Sequence, residues 1–111
     1  MNVVSKFPED MDARTTYKLL KAPAKKMSEA VDSVLEVKAW LAYEDADANT
    51  GEIREVLTVE TIDGERFATV SSIFRREFFD IVEYFGKDVG AITVIGGTSR
   101  TGRNFITCSV V

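Results

Sequence analysis

The sequence predicts a mainly β domain: five short strands curled into a partly open Greek-key barrel, with one helix between the third and fourth strands and a helical segment ahead of the first. Three observations predict it. Apolar and polar residues alternate with period two from residue 34. Asp63-Gly64 separates two runs rich in β-branched residues. The apolar period then changes to three and four residues over 73–85, and two more strand-like runs follow.

The elements follow in order. Residues 1–12 are polar and read as an extended or loosely attached arm. Asp12 is placed to cap a short helix from Ala13, and Pro23 ends or kinks the helix that covers Tyr17 to Ala22. Residues 25–32 suggest another helical turn. Leu35, Val37, Ala39, Leu41 and Tyr43 alternate with Glu36, Lys38, Trp40 and Ala42, which is the pattern of a half-buried strand. Asn49-Thr50-Gly51 is a turn signal, and residues 53–62 form the second strand. Asp63-Gly64 is a hairpin turn into a third strand at 66–70. Phe74, Phe78, Ile81, Val82 and Phe85 mark an amphipathic helix, with Ser71 or Ser72 as its cap and Gly86 as its stop. Residues 91–95 form a short strand, 96–104 a turn-rich loop and 105–111 the last strand. Strand, strand, strand, helix, strand, strand is the order of an OB-fold barrel. A three-plus-two antiparallel sheet with the helix on one face is the alternative. The whole reads as one domain over 1–111, with 1–33 as the N-terminal segment and 34–111 as the barrel.

With 111 residues the chain suits a single core. It contains no histidine and one cysteine, Cys108. That removes the commonest general base and the commonest metal ligand, and with them Ser-His-Asp and Cys-His nucleophile systems. A structural zinc site lacks its ligands too. No metal, no cofactor and no enzymatic activity are therefore expected. A lone thiol in an apolar run suits a reducing compartment. No apolar stretch reaches the length of a membrane helix, and the polar start does not read as a signal peptide, so a cytoplasmic location is expected.

Net charge is −4, yet its distribution is uneven. Residues 13–28 hold Arg14, Lys18, Lys21, Lys25 and Lys26 with no acid, and residues 91–111 hold Arg100 and Arg103 with no acid. The acids gather elsewhere, notably over 44–55. Two local basic surfaces in an acidic protein are compatible with a nucleic-acid partner.

The stretch Thr61-Ile62-Asp63-Gly64-Glu65-Arg66-Phe67-Ala68-Thr69, the helix Phe74-Arg75-Arg76-Glu77-Phe78 and the run Gly97-Thr98-Ser99-Arg100-Thr101-Gly102-Arg103-Asn104-Phe105-Ile106-Thr107-Cys108 resemble small single-stranded-DNA-binding proteins of bacteriophages and conjugative elements of Gram-positive bacteria. So does the opening Met1-Asn2-Val3-Val4-Ser5-Lys6-Phe7-Pro8. The resemblance implies an OB fold that coats single strands during DNA replication or conjugative transfer. Bacterial housekeeping members of this class end in an acidic tail that recruits partners. Here the corresponding residues are Cys108-Ser109-Val110-Val111, inside an apparent strand, so recruitment by such a tail is not expected.

The site residues follow from strand phase. Lys38 and Trp40 alternate with Leu35, Val37 and Leu41, so if the latter fill the barrel, Trp40 points out beside a cation. Bases stack on aromatic faces while cations follow the phosphates. The other reading has Trp40 covered by the N-terminal segment or the helix. Arg100 and Arg103 lie in the loop between the last two strands, and Phe105 is out of phase with Cys108 and Val110, so it faces outward. Arg54 and Arg66 extend the track, and Phe67 is either a stacking residue or core. Residues 15–26 are a basic arm, a protomer interface or a solvated face. Gly97 and Gly102 stand at P-loop spacing, but Arg103-Asn104 replaces the lysine and hydroxyl residue and a strand follows, so it is no nucleotide site. The acids of 44–52 lack the ligand order of a calcium loop.

Two functions of different classes remain. One is sequence-tolerant binding of single-stranded DNA, or RNA, by a protein that also self-associates. The other is a protein-interaction module, an inhibitor or adaptor of a host factor that does not touch nucleic acid.

Overall fold

The computed structural model describes residues 2–21 and 23–111. Ala22, where the first helix was expected to end, lies outside them. The described residues form β1 (Asn2–Phe7), α1 (Ala13–Lys21), β2 (Lys25–Lys26), a 3-10 turn (Met27–Ala30), β3 (Val34–Ala46), β4 (Ile53–Thr61), β5 (Arg66–Thr69), α2 (Ser72–Phe85), β6 (Ala91–Thr98) and β7 (Asn104–Val110). The expected order of strand, strand, strand, helix, strand, strand is present from β3 to β7.

Six strands lie side by side in the order β2-β5-β4-β3-β6-β7, and β1 joins β3 off that path. The sheet is mixed, because β2 runs parallel to β5 while the other pairs are antiparallel. It curls into a half-barrel. The expected closed five-stranded barrel is not formed: β5 and β7 do not pair. The edge of β5 is taken instead by Lys25 and Lys26, opposite Phe67 and Ala68. The following turn sinks Met27 and Ala30 into the core. The N-terminal segment therefore occupies the closing edge, and the helical turn expected over 25–32 is a two-residue strand followed by a 3-10 turn. The arm expected over 1–12 is also corrected: Asn2 to Phe7 is a strand in register with Glu44 to Trp40.

β3 holds the fold together. Its N-terminal end pairs with β6 at Leu35↔Ile92, and its C-terminal end with β1. Along β4 the partners run Val37↔Thr61 and then Ala39↔Glu60, so Lys38 is an extra residue, a β-bulge. One extra residue reverses the phase of everything beyond it. Leu35 and Val37 before the bulge and Trp40 and Ala42 after it all face the main core, with Leu57, Val59, Phe67, Phe74 and Phe78. Ala39 and Leu41 face the other side, where Met11 and Leu19 cover them.

The expectation that Trp40 points outward is thereby overturned. Its side chain is 0% exposed. Its Nε1–H donates to the Lys87 carbonyl oxygen at 2.9 Å. Its ring meets those of Phe78 and Phe79 edge-on, with centroids 5.3 and 5.7 Å away. Phe67, 5% exposed, is likewise core.

Local signals set the helices. The Asp12 carboxylate accepts from the Thr15 amide at 2.7 Å and caps α1, whose Leu19 is buried. Ser71 Oγ accepts from the Phe74 amide at 3.1 Å and caps α2. Gly86, at φ 92°, ends α2 by donating its amide to the Val82 carbonyl. No helix among the described residues is long and apolar enough to cross a membrane.

Trp40→Ala should destabilise the chain by about 3–5 kcal/mol, read as a lower urea midpoint, because it empties the centre of the core. A second expectation concerns Cys108. Its buried Sγ lies 4.0 Å from the Phe74 carbonyl oxygen. Burial first, and the Glu77 carboxylate second, push the thiol up to about 12 from an ordinary value of 9.0. The folded chain thus holds this proton more tightly than the unfolded chain. The stabilisation is complete below pH 9.0 and is lost as pH rises toward about 12. Denaturation midpoints followed across that range should fall more steeply in the native chain than in Cys108→Ala.

Candidate nucleic-acid interface

The unclosed seam between β5 and β7 leaves a cleft on the surface. Its largest part, about 520 Å³, is bounded by Lys26 and Ser28, by Tyr43 and Arg54, and by Thr69 and Ser71. Ser28, Ser71 and Ile106 also line the next hollow, about 300 Å³, which reaches Asn104 and Phe105. A third, about 420 Å³, shares Ser28, Asn104 and Phe105 and continues along Gly96 and Gly97. The three form one path from the β3–β4 hairpin to the β6–β7 hairpin. Asp45 and Asp32 are the carboxylates on its walls.

The β6–β7 hairpin is tightly built. Thr98 pairs with Asn104 and Gly97 with Phe105. In the loop, the Ser99 amide donates to the Arg103 carbonyl at 2.8 Å, and the Gly102 amide to the Ser99 carbonyl at 2.9 Å. The Arg103 amide donates to Ser99 Oγ at 3.2 Å. Gly102 sits at φ 81°, where a side chain would be strained. This frame holds Arg100 and Arg103 outward. The Phe105 ring lies flat over Gly97, on the space a Cβ would need. Phe105 is half-buried and stands on the face opposite Cys108, as strand phase predicts.

The other end of the cleft is more acidic. The Asp47 carboxylate accepts from the Asn49 and Thr50 amides at 2.8 and 3.0 Å, which folds residues 47–52 into a turn. Those amides hold the Asp47 carboxyl below its usual value. Asp47 also meets Arg54 at 3.6 Å. Burial, reinforced by Asp45, pushes the Tyr43 hydroxyl above its usual value. Tyr43 therefore stays a neutral hydroxyl beside the cleft.

The eight candidates divide into three groups. Trp40 and Phe67 are core and present no face to a base. Lys38, Arg54 and Arg66 are cations already paired with acids. Arg66 Nε donates to Glu60 at 2.9 Å, and Lys38 lies 3.9 Å from the same carboxylate. Such part-exposed pairs are weak, about 0–1 kcal/mol, but a phosphate must compete with the carboxylate for them. Arg100, Arg103 and Phe105 stay together on one hairpin, and among the described residues neither arginine has an ion-pair partner. Lys26, Tyr43, Ser71 and Asn104 also line the cleft and were not singled out. Only Lys26 carried a signal, as part of the basic stretch; the others depend on which strands face the seam. Among the described residues no three His, Cys, Asp or Glu side chains converge as a metal site. The arrangement presents two cations, a flat aromatic and backbone at an open edge, which suits a polyanion with planar groups.

Gly97→Ala should drive the new methyl into the Phe105 ring and destabilise the chain by about 1–3 kcal/mol. In a Phe105→Ala background the same substitution should have little effect. Thermal melts of the four chains give the coupling directly, and additive effects would separate the two positions.

No protein-family model, no curated protein and no solved structure matches the chain.

Proposed function

We propose that the chain binds single-stranded nucleic acid, DNA foremost, along the open seam and without chemistry on it. The fold is read as an OB-type barrel left open between its third and fifth strands, β5 and β7. In that reading residues 47–52 and 99–103 are the two loops that flank an OB binding face. The observation that carries the proposal is the cleft itself. It leads to a hydrogen-bonded hairpin whose two arginines make no ion pair among the described residues, with the Phe105 ring held over Gly97 on the same hairpin. Arg100 and Arg103 take phosphates, Phe105 stacks a base, and Lys26 continues the track past Ser28. Stacking on an aromatic face and contacts to phosphates do not depend on base identity, so binding of this kind is sequence-tolerant. The resemblance noted in the sequence supports a role in the replication or transfer of a mobile element.

Titration of labelled oligo-dT, followed by anisotropy at rising salt, tests the reading. Affinity should fall with a log–log slope of about 0.7 per phosphate contact. Arg100→Ala/Arg103→Ala should weaken binding about tenfold or more and flatten that slope by about 1.4. Phe105→Ala should lose about 1–3 kcal/mol of stacking. Trp40 emission should not change on binding, since the ring is sealed in the core. Absence of an anisotropy change with oligo-dT, mixed DNA and RNA at about micromolar protein would overturn the proposal.

A further inference from the structure

Among the described residues, two exposed helical stripes find no charge partner. On α1, Arg14, Tyr17, Lys18 and Lys21 recur at three- and four-residue steps and share one side. Tyr17 is 62% exposed. On α2, Asp80, Glu83 and Tyr84 share a side at the same spacing. Tyr84 is 83% exposed, and its ring meets that of Phe85 edge-on at 4.8 Å. Beside them Asp80, Tyr84, Phe85 and Val110 border a hollow of about 200 Å³. Among the described residues, Arg14, Lys18 and Lys21 make no ion pair, and neither do Asp80 and Glu83.

The stripes are complementary in charge, and each carries one exposed tyrosine. They cannot serve each other in one chain. α1 packs on the outer face of β3 through Leu19 and Leu20, whereas α2 packs on the inner core through Phe74 and Phe78. An exposed aromatic pair rimmed by unpaired acids is the kind of surface that marks an interface.

We propose that a second copy of the chain fills this surface: the basic stripe of α1 lies along the acidic, aromatic end of α2 in the next molecule, with Tyr17 seated at the hollow beside Tyr84. The two patches differ, so the contact is heterologous and propagates head to tail. It needs no nucleic acid and does not rest on the function proposed above.

Sedimentation velocity without nucleic acid tests it. At about 100 μM protein and about 0.05 M salt the native chain should show a weight-average mass of about twice the monomer's or more, and it should revert to monomer at about 0.5 M salt as the charges are screened. Lys18→Glu/Lys21→Glu should be monomeric with an unchanged melting temperature, and so should Asp80→Lys/Glu83→Lys. Mixed in equal amounts, the two should assemble again, because every reversed stripe then meets an opposite one. A native chain that stays monomeric at low salt would overturn the proposal. Reversed variants that still assemble alone, or a mixture that stays monomeric, would do the same.

Discussion

At Lys38 the ladder between β3 and β4 takes in one extra residue, and most of the molecule is arranged around that slip. Without it a strand of this length would offer one apolar face and one polar face. With it, β3 sends Val37 and Trp40 to the same side and then gives its second face to Ala39 and Leu41. One strand thereby supports two hydrophobic clusters. The larger is capped by the phenylalanines of α2. The smaller is covered by Met11 and by Leu19 of α1. The bulge also adds twist, which turns β3 from its pairing with β6 toward its pairing with β1 and curls the sheet.

Whether the curl closes is decided at the opposite edge. β5 has four residues, Arg66–Thr69, and its outer edge is occupied by Lys25 and Lys26. Met27 and Ala30 fill the space behind them. The strand that would meet β5 in a closed barrel, β7, is held off, and α2 packs across it instead. The cleft arises from this. Its walls are the ends of elements, so polar backbone and short polar side chains, Ser28, Ser71 and Asn104, lie beside Ile106 and Phe105.

Charge follows the same geometry. The sheet's outer face carries cations, yet Glu60 alone engages both Arg66 and Lys38, and Asp47 engages Arg54. Strand register sets Arg66 opposite Glu60, the bulge brings Lys38 to the same carboxylate, and the turn after β3 carries Asp47 back to Arg54, so these cations are largely neutralised locally. Among the described residues, the arginines of the hairpin tip and Arg14, Lys18 and Lys21 of α1 make no ion pair. An acidic chain can therefore still present two basic surfaces. The proposals assign them different partners, the hairpin to phosphates and α1 to a second copy.

Signals that depend on neighbours within a few residues were legible in the sequence by itself. The three- and four-residue apolar period marked α2, Ser71 and Gly86 bounded it, Asp63-Gly64 marked a hairpin, and period two put Phe105 opposite Cys108. The inventory of side chains likewise ruled out histidine chemistry. The tertiary structure decided everything that depends on which distant segments meet. A bulge is one unpaired residue, and nothing in Lys38 announces it, so the alternation that placed Trp40 outside was extended past the point where it breaks. Two lysines gave no sign that they would pair in parallel with a strand forty residues on. The seam and its cleft exist because β2, and not β7, pairs with the edge of β5, a choice between distant backbone partners that only the folded chain makes.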